Sequence, residues 1–185
     1  MRKLVVLFVL LSLPLFAQES STKAEVFGGY QYLHIGSNSN FLNNGQGFNG
    51  WNAGTAYKFG KYVGVAGDFS GSYATISGVS AHIYTYAGGP VISASAGRVT
   101  PFVHALFGGT RLGISQSSVS VSLNGFTTMV GGGVDANLNK NFGVRIAQFD
   151  WLYYHFGNST IAGQSVKSFS GSNNFRISTG IVVRF

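Results

Sequence analysis

Asn174-Phe175-Arg176-Ile177-Ser178-Thr179-Gly180-Ile181-Val182-Val183-Arg184-Phe185 alternates to its last residue, and that alternation constrains the chain more than anything else in it. Successive side chains of a strand point to opposite faces. Phe175, Ile177, Thr179, Ile181, Val183 and Phe185 therefore share one face, and Asn174, Arg176, Ser178, Gly180, Val182 and Arg184 share the other. An apolar band outside, two arginines inside and a final aromatic suit a strand of a closed barrel whose outer surface meets lipid.

The other end reads as a secretory start. Met1-Arg2-Lys3 precedes an apolar run from Leu4 to Phe16, followed by Ala17-Gln18-Glu19-Ser20. A basic n-region, a short h-region and a small residue before a polar stretch make a signal peptide. The run falls short of the roughly 20 apolar residues that a membrane helix needs. The expectation is a cleaved signal peptide over residues 1–17 and a single barrel domain over 18–185, with Leu15 an imperfect residue for the cleavage site.

Only 9% of the chain is charged, against about 25% in ordinary soluble proteins. Such a chain cannot dress a water-facing surface with charge. Its 27 glycines and many serines and asparagines argue equally against one large apolar core. Aromatic residues at 15% and scarce charge fit a surface solvated by lipid. With no cysteine, the exported chain folds without disulfides. The basic residues are scattered rather than clustered, which excludes nucleic acid as a partner.

Strands are expected near residues 24–35, 48–59, 62–74, 81–93, 99–114, 125–138, 142–156 and 174–185, each long enough to cross a bilayer as a tilted strand. Polar segments 36–47, 75–80, 115–124 and 157–173 are read as longer loops on one rim. Tight turns at Gly60-Lys61, Ser95-Ala96-Gly97 and Asn139-Lys140-Asn141 are read on the other. Eight antiparallel strands with this rhythm make an all-β, up-and-down transmembrane barrel with both termini on the periplasmic side. Tyr57, Phe59, Tyr62, Phe142 and Phe185 are expected in a periplasmic aromatic girdle, and Tyr32, Trp51, Tyr73, Phe156 and Phe175 in an outer one.

Eight strands enclose a bore narrow enough for side chains to fill. Charges there must find partners. Glu25, Asp68, Asp135 and Asp150 balance Lys58, Arg145, Arg176 and Arg184, and His104 joins them to form an expected interior polar network. If residues 139–141 form a three-residue loop, Asp135 faces Arg145 across the hairpin. Arg145 is odd and Asp150 even, so a bulge near Ile146-Ala147 is needed to turn both inward.

No metal, cofactor or catalytic site is read from the sequence. His34, His82, His104 and His155 fall on four strands without ligand spacing. His155 near Ser159 is similar to the His–Ser arrangement of lipid A deacylases, but no carboxylate follows to orient the base. Gly131-Gly132-Gly133 lies mid-strand and is read as relief of crowding rather than a phosphate loop.

Glu25-Val26-Phe27-Gly28-Gly29-Tyr30, Val65-Ala66-Gly67-Asp68-Phe69, Tyr86-Ala87-Gly88-Gly89-Pro90, Gly131-Gly132-Gly133-Val134-Asp135 and the final strand together resemble the small outer-membrane β-barrel family that includes the OmpA transmembrane domain and OmpX. The resemblance implies an outer-membrane location. It also implies that Ile181, Val183 and Phe185 are read by the barrel assembly machinery during insertion. Outer-membrane lipid and lipopolysaccharide are then the surroundings, with a possible extracellular ligand at the loops, and the protein is expected to be a monomer. The function expected is a structural or surface-interaction role in adhesion or envelope integrity, with the bore plugged. A lipid-modifying barrel enzyme and a narrow pore are the alternatives.

Overall fold

A computed structural model describes residues 24–36, 45–76, 78–116, 119–157, 159–161, 164–166 and 169–185. The expected signal peptide lies outside the described residues. Ten strands follow in order: β1 (Ala24–Ile35), β2 (Gln46–Lys58), β3 (Val63–Ile76), β4 (Val79–Ser93), β5 (Val99–Gln116), β6 (Val119–Asn137), β7 (Phe142–Phe156), β8 (Ser159–Ile161), β9 (Gln164–Val166) and β10 (Phe169–Arg184). Eight of them close an antiparallel barrel in the order β1-β10-β7-β6-β5-β4-β3-β2, while β8 and β9 pair with each other. Closure removes both sheet edges, so the ladder groups of every barrel strand find partners inside the sheet. The seam runs from Glu25↔Arg184 to Ile35↔Asn174.

Turn chemistry fixes the rim where the chain enters and leaves. Phe59 N–H reaches Val63 O at 3.0 Å across Gly60-Lys61. Gly97, with φ 64°, closes the bridge between Ala96 and Val99, a conformation that a Cβ would strain. Asn139 Oδ1 accepts from the amides of Asn141 (2.9 Å) and Phe142 (2.8 Å), a side chain standing in for a backbone turn.

The connections at the opposite end depart from the sequence reading. β3 and β4 pair out to Ile76↔Val79, and β5 and β6 out to Gln116↔Val119, so 75–80 and 115–124 are largely strand rather than loop. The final strand begins at Phe169 instead of 174, and part of 157–173 is the β8–β9 hairpin.

Outward faces are mostly apolar across the middle of the barrel strands; Phe69, Phe107, Val130, Trp151 and Ile181 are all about half exposed. Glycine lets aromatic rings lie flat on this wall. Trp51 stands directly opposite Gly71, where an added Cβ would come within 2.9 Å of the indole nitrogen and 3.0 Å of the Tyr73 hydroxyl.

The interior has two layers, and the sequence reading anticipated only one. Polar groups occupy the half nearer the turns. In the other half, Leu33, Phe48, Ile83, Leu106, Leu112, Leu123, Met129, Leu152, Tyr154 and Phe156 form an apolar plug. Phe156 is 6% exposed, so it packs into the bore and is not part of an outer girdle. The other residues expected in the two girdles are exposed on the outside.

Candidate functional site

Arg176 is the centre of the bore. It stands opposite Asp150 in the β10–β7 ladder, and its side chain crosses the interior to β3. Nε and Nη2 donate to Asp150 Oδ2 at 2.8 and 2.7 Å. Nη1 and Nη2 make a two-pronged contact with Asp68 Oδ1 and Oδ2 at 2.8 and 2.9 Å. Such fork-to-fork pairing is the geometry in which a guanidinium binds carboxylates best. Arg176 is 1% exposed, and Gln31 Oε1 and Ser70 Oγ, each at 3.3 Å, take remaining donor capacity.

The two carboxylates are held from behind. Asn52 Nδ2 donates to Asp68 Oδ2 at 2.8 Å. Asp150 meets His104 Nε2 through Oδ1 and Gln148 Nε2 through Oδ2, each at 2.8 Å. Gly131 separates His104 and Asp150 in the ladder, and a Cβ there would run into the Asp150 carboxylate. Gly133 likewise leaves room for the Phe102 ring, 2.8 Å from where its Cβ would be. These inward glycines clear space for the interior side chains.

A second cluster lies nearer the turns. Lys58 Nζ is 2.8 Å from Glu25 Oε1, which also accepts from Arg184 Nε at 3.2 Å. Arg184 reaches Asp135 Oδ2 at 3.1 Å and Asn137 Oδ1 at 2.7 Å. Asp135 Oδ1 pairs with Arg145 Nε at 2.8 Å. The Arg145 guanidinium is stacked between Phe27 and Phe102, 4.3 and 4.2 Å from the ring centres, which fixes its plane and adds cation–π attraction. Arg145 Nη1 donates to Gln148 Oε1 at 2.6 Å, and Gln148 links this cluster to Asp150.

The structure therefore brings Glu25, Lys58, Asp68, His104, Asp135, Arg145, Asp150, Arg176 and Arg184 into one connected network. The phase of β7 makes this possible. Asp135 pairs with Arg145 and Val134 with Ala147, so Ile146 is the extra residue, and it is 59% exposed. Sequence reasoning missed Gln31, Asn52 and Asn137 as linkers and Phe27 and Phe102 as the stacking pair. All five share strand parity with the inward charges, which was the available signal.

A cavity of about 50 Å³ lies beside this network, lined in part by Glu25, Lys58, Asp68, His104 and Arg145. It has room for a few water molecules. Beyond Arg176 the bore is occupied mainly by the apolar plug, with Thr85, Thr110 and Thr127 buried at the same levels.

The remaining histidines lie on the outer wall. His34 stacks on Phe175 at 4.9 Å and His82 neighbours Tyr84 at 5.5 Å. His155 Nδ1 is 2.8 Å from Ser170 Oγ, so its serine partner is Ser170; the Ser159 side chain is outside the described residues. All four described carboxylates are buried in the bore, and none orients this His–Ser pair. Among the described residues no three His, Asp or Glu side chains gather as a metal site. Ile181 and Phe185 are exposed on the outer wall at 60% and 71%, with Val183 partly covered between them.

The model of the outer membrane protein beta-barrel domain family matches residues 4–185. Among solved structures, Neisserial surface protein A superposes with a TM-score of 0.66 at 12% identity, covering 90% of this chain and 100% of that one. Ail, the attachment invasion locus protein of Yersinia pestis, gives 0.54 at 17% identity, over 88% of this chain and 99% of the other. The N-terminal β-barrel domain of Pseudomonas aeruginosa OprF gives 0.60 at 10% identity, over 90% and 100%. At these identities the likeness is one of fold. No curated protein matches the chain by sequence.

Proposed function

Because the chain belongs to the outer membrane protein beta-barrel family, and so resides in the outer membrane, we propose that it is a closed, non-conducting, non-catalytic barrel with a structural or surface-interaction role. The sealed bore carries this reading. An ion entering from the turn end meets Arg176 locked between Asp68 and Asp150, and behind it a mainly apolar layer in which the threonines Thr85, Thr110 and Thr127 and the Tyr154 hydroxyl are too few to replace its hydration shell. The turn end and both strand termini face the periplasm, and the long hairpins β3–β4 and β5–β6 project outward. A cell-surface role is in keeping with Neisserial surface protein A and Ail, which share the fold.

On this reading residues 1–17 are a cleaved signal peptide, 18–185 form the barrel, and Ile181, Val183 and Phe185 are the assembly signal. The protein works as a monomer among outer-membrane lipids. The pair His155–Ser170 does not make it a lipid-modifying enzyme, since a serine nucleophile needs its base oriented by a third group. Planar-bilayer recording is the test: the purified chain should give no stable conductance steps. Large, lasting steps would overturn the reading, as would lipid A whose mass changes when the protein is expressed.

A further inference from the structure

The outward wall changes character abruptly on β4, β5 and β6. Along β5 the outward residues are Val99, Pro101, Val103, Ala105 and Phe107, and then, past Gly109, comes Arg111. A rise of about 3.3 Å per residue and a tilt near 40° lift Arg111 about 30 Å above Val99, past the roughly 25 Å height of a barrel's apolar band. The register sets Tyr84 of β4 on one side of Arg111 and Asn124 of β6 on the other. One step further out, His82 and Ser122 flank Gly113, and the His82 ring lies over that glycine.

Arg111 is exposed, and Nη2 donates to Ser122 Oγ at 3.3 Å. The four described carboxylates are all inside the bore, so the guanidinium has no acidic partner among the described residues. Tyr84 is tied to its neighbours: its hydroxyl lies 3.1 Å from that of Tyr73, which accepts from Trp51 Nε1 at 3.3 Å. A cation with free donors thus stands at the edge of the apolar band, framed by hydroxyl, amide and imidazole groups. A planar guanidinium matches the paired oxygens of a phosphate.

We propose that Arg111, with Tyr84, Asn124, His82 and Ser122 around it, binds the phosphate of an outer-leaflet glycolipid, lipopolysaccharide. The assignment to that leaflet rests on the reading that the turn end faces the periplasm. One charge-assisted contact of this kind is worth about tenfold in affinity.

Native mass spectrometry of the full chain tests the site, with bisphosphorylated lipid A and the same lipid A stripped of both phosphates as probes. The wild type should retain the phosphorylated form about tenfold better. Arg111→Ala should bring the ratio near unity, and Arg98→Ala, at the opposite rim, should leave it unchanged. A preference that survives Arg111→Ala, or no preference in the wild type, overturns the site. Sidedness is read separately, which the cysteine-free chain makes clean. On intact cells Ser115→Cys should react with a membrane-impermeant thiol reagent and Lys61→Cys should not. The reverse labelling overturns the leaflet assignment whatever the lipid ratio.

Discussion

Replacing Arg176 with methionine keeps most of the side-chain volume and removes the charge that two buried carboxylates share. Losing one partner of a buried ion pair costs about 3–5 kcal/mol, because the other charge stays behind uncompensated. Here two pairs depend on one guanidinium, yet the costs do not simply double. Asp150 keeps His104 and Gln148, and Asp68 keeps Asn52. A net loss of about 4 kcal/mol follows, which at about 2 kcal/mol per molar urea moves the unfolding midpoint down by about 2 M. The assay is urea unfolding from lipid vesicles followed by the fluorescence of Trp51 and Trp151. The triple variant Arg176→Met, Asp68→Asn, Asp150→Asn removes the stranded charges together with their partner and should regain most of the loss. A single variant within about 0.5 M of wild type would refute the hub as the stabilising centre of the bore. So would a triple variant no better than the single one.

Three further outcomes test other parts of the structure. Deleting Ile146 removes the bulge and restores plain alternation, with Arg145 and Gln148 two residues apart and both still inward, so the yield of heat-modifiable barrel on gels should stay near that of the wild type; loss of the barrel counts against Ile146 as the extra residue that sets the phase. Gly71→Val places a side chain against the Trp51 ring and should cost about 1–3 kcal/mol with a shift in tryptophan emission, so an unchanged spectrum would deny the ring-on-glycine contact. Phe185→Ala should lower the assembled level in the membrane far more than it lowers the stability of barrel refolded in vitro, and equal effects on both would remove the residue's role as an assembly signal.

Period-two alternation made the strands and outward faces legible because most outward positions are apolar while many inward ones are charged or small. The same rule fails where both faces are apolar. Trp151-Leu152-Tyr153-Tyr154-His155-Phe156 offers no contrast, so Phe156 reads as a girdle residue when it belongs to the plug. The start of β6 was lost for the opposite reason: Val119, Val121 and Leu123 alternate with serines, and serine content suggests a loop although the period is that of a strand. Charge balance pointed to the interior network, but which acid meets which base depends on register across the bore. Arg176 and Asp68 lie 108 residues apart, a pairing no local pattern carries.

That separation also says something about time. Arg176 is on β10, the last barrel strand in chain order, and its partners are on β3 and β7. Until β10 docks, the hub has no cation at its centre. The final strand thus neutralises the interior in the same event that closes the ring, and contacts of such long sequence separation form late and slowly. The buried arginine acts as a latch on assembly. Variants that weaken the hub should linger as open sheets before they show any defect as finished barrels.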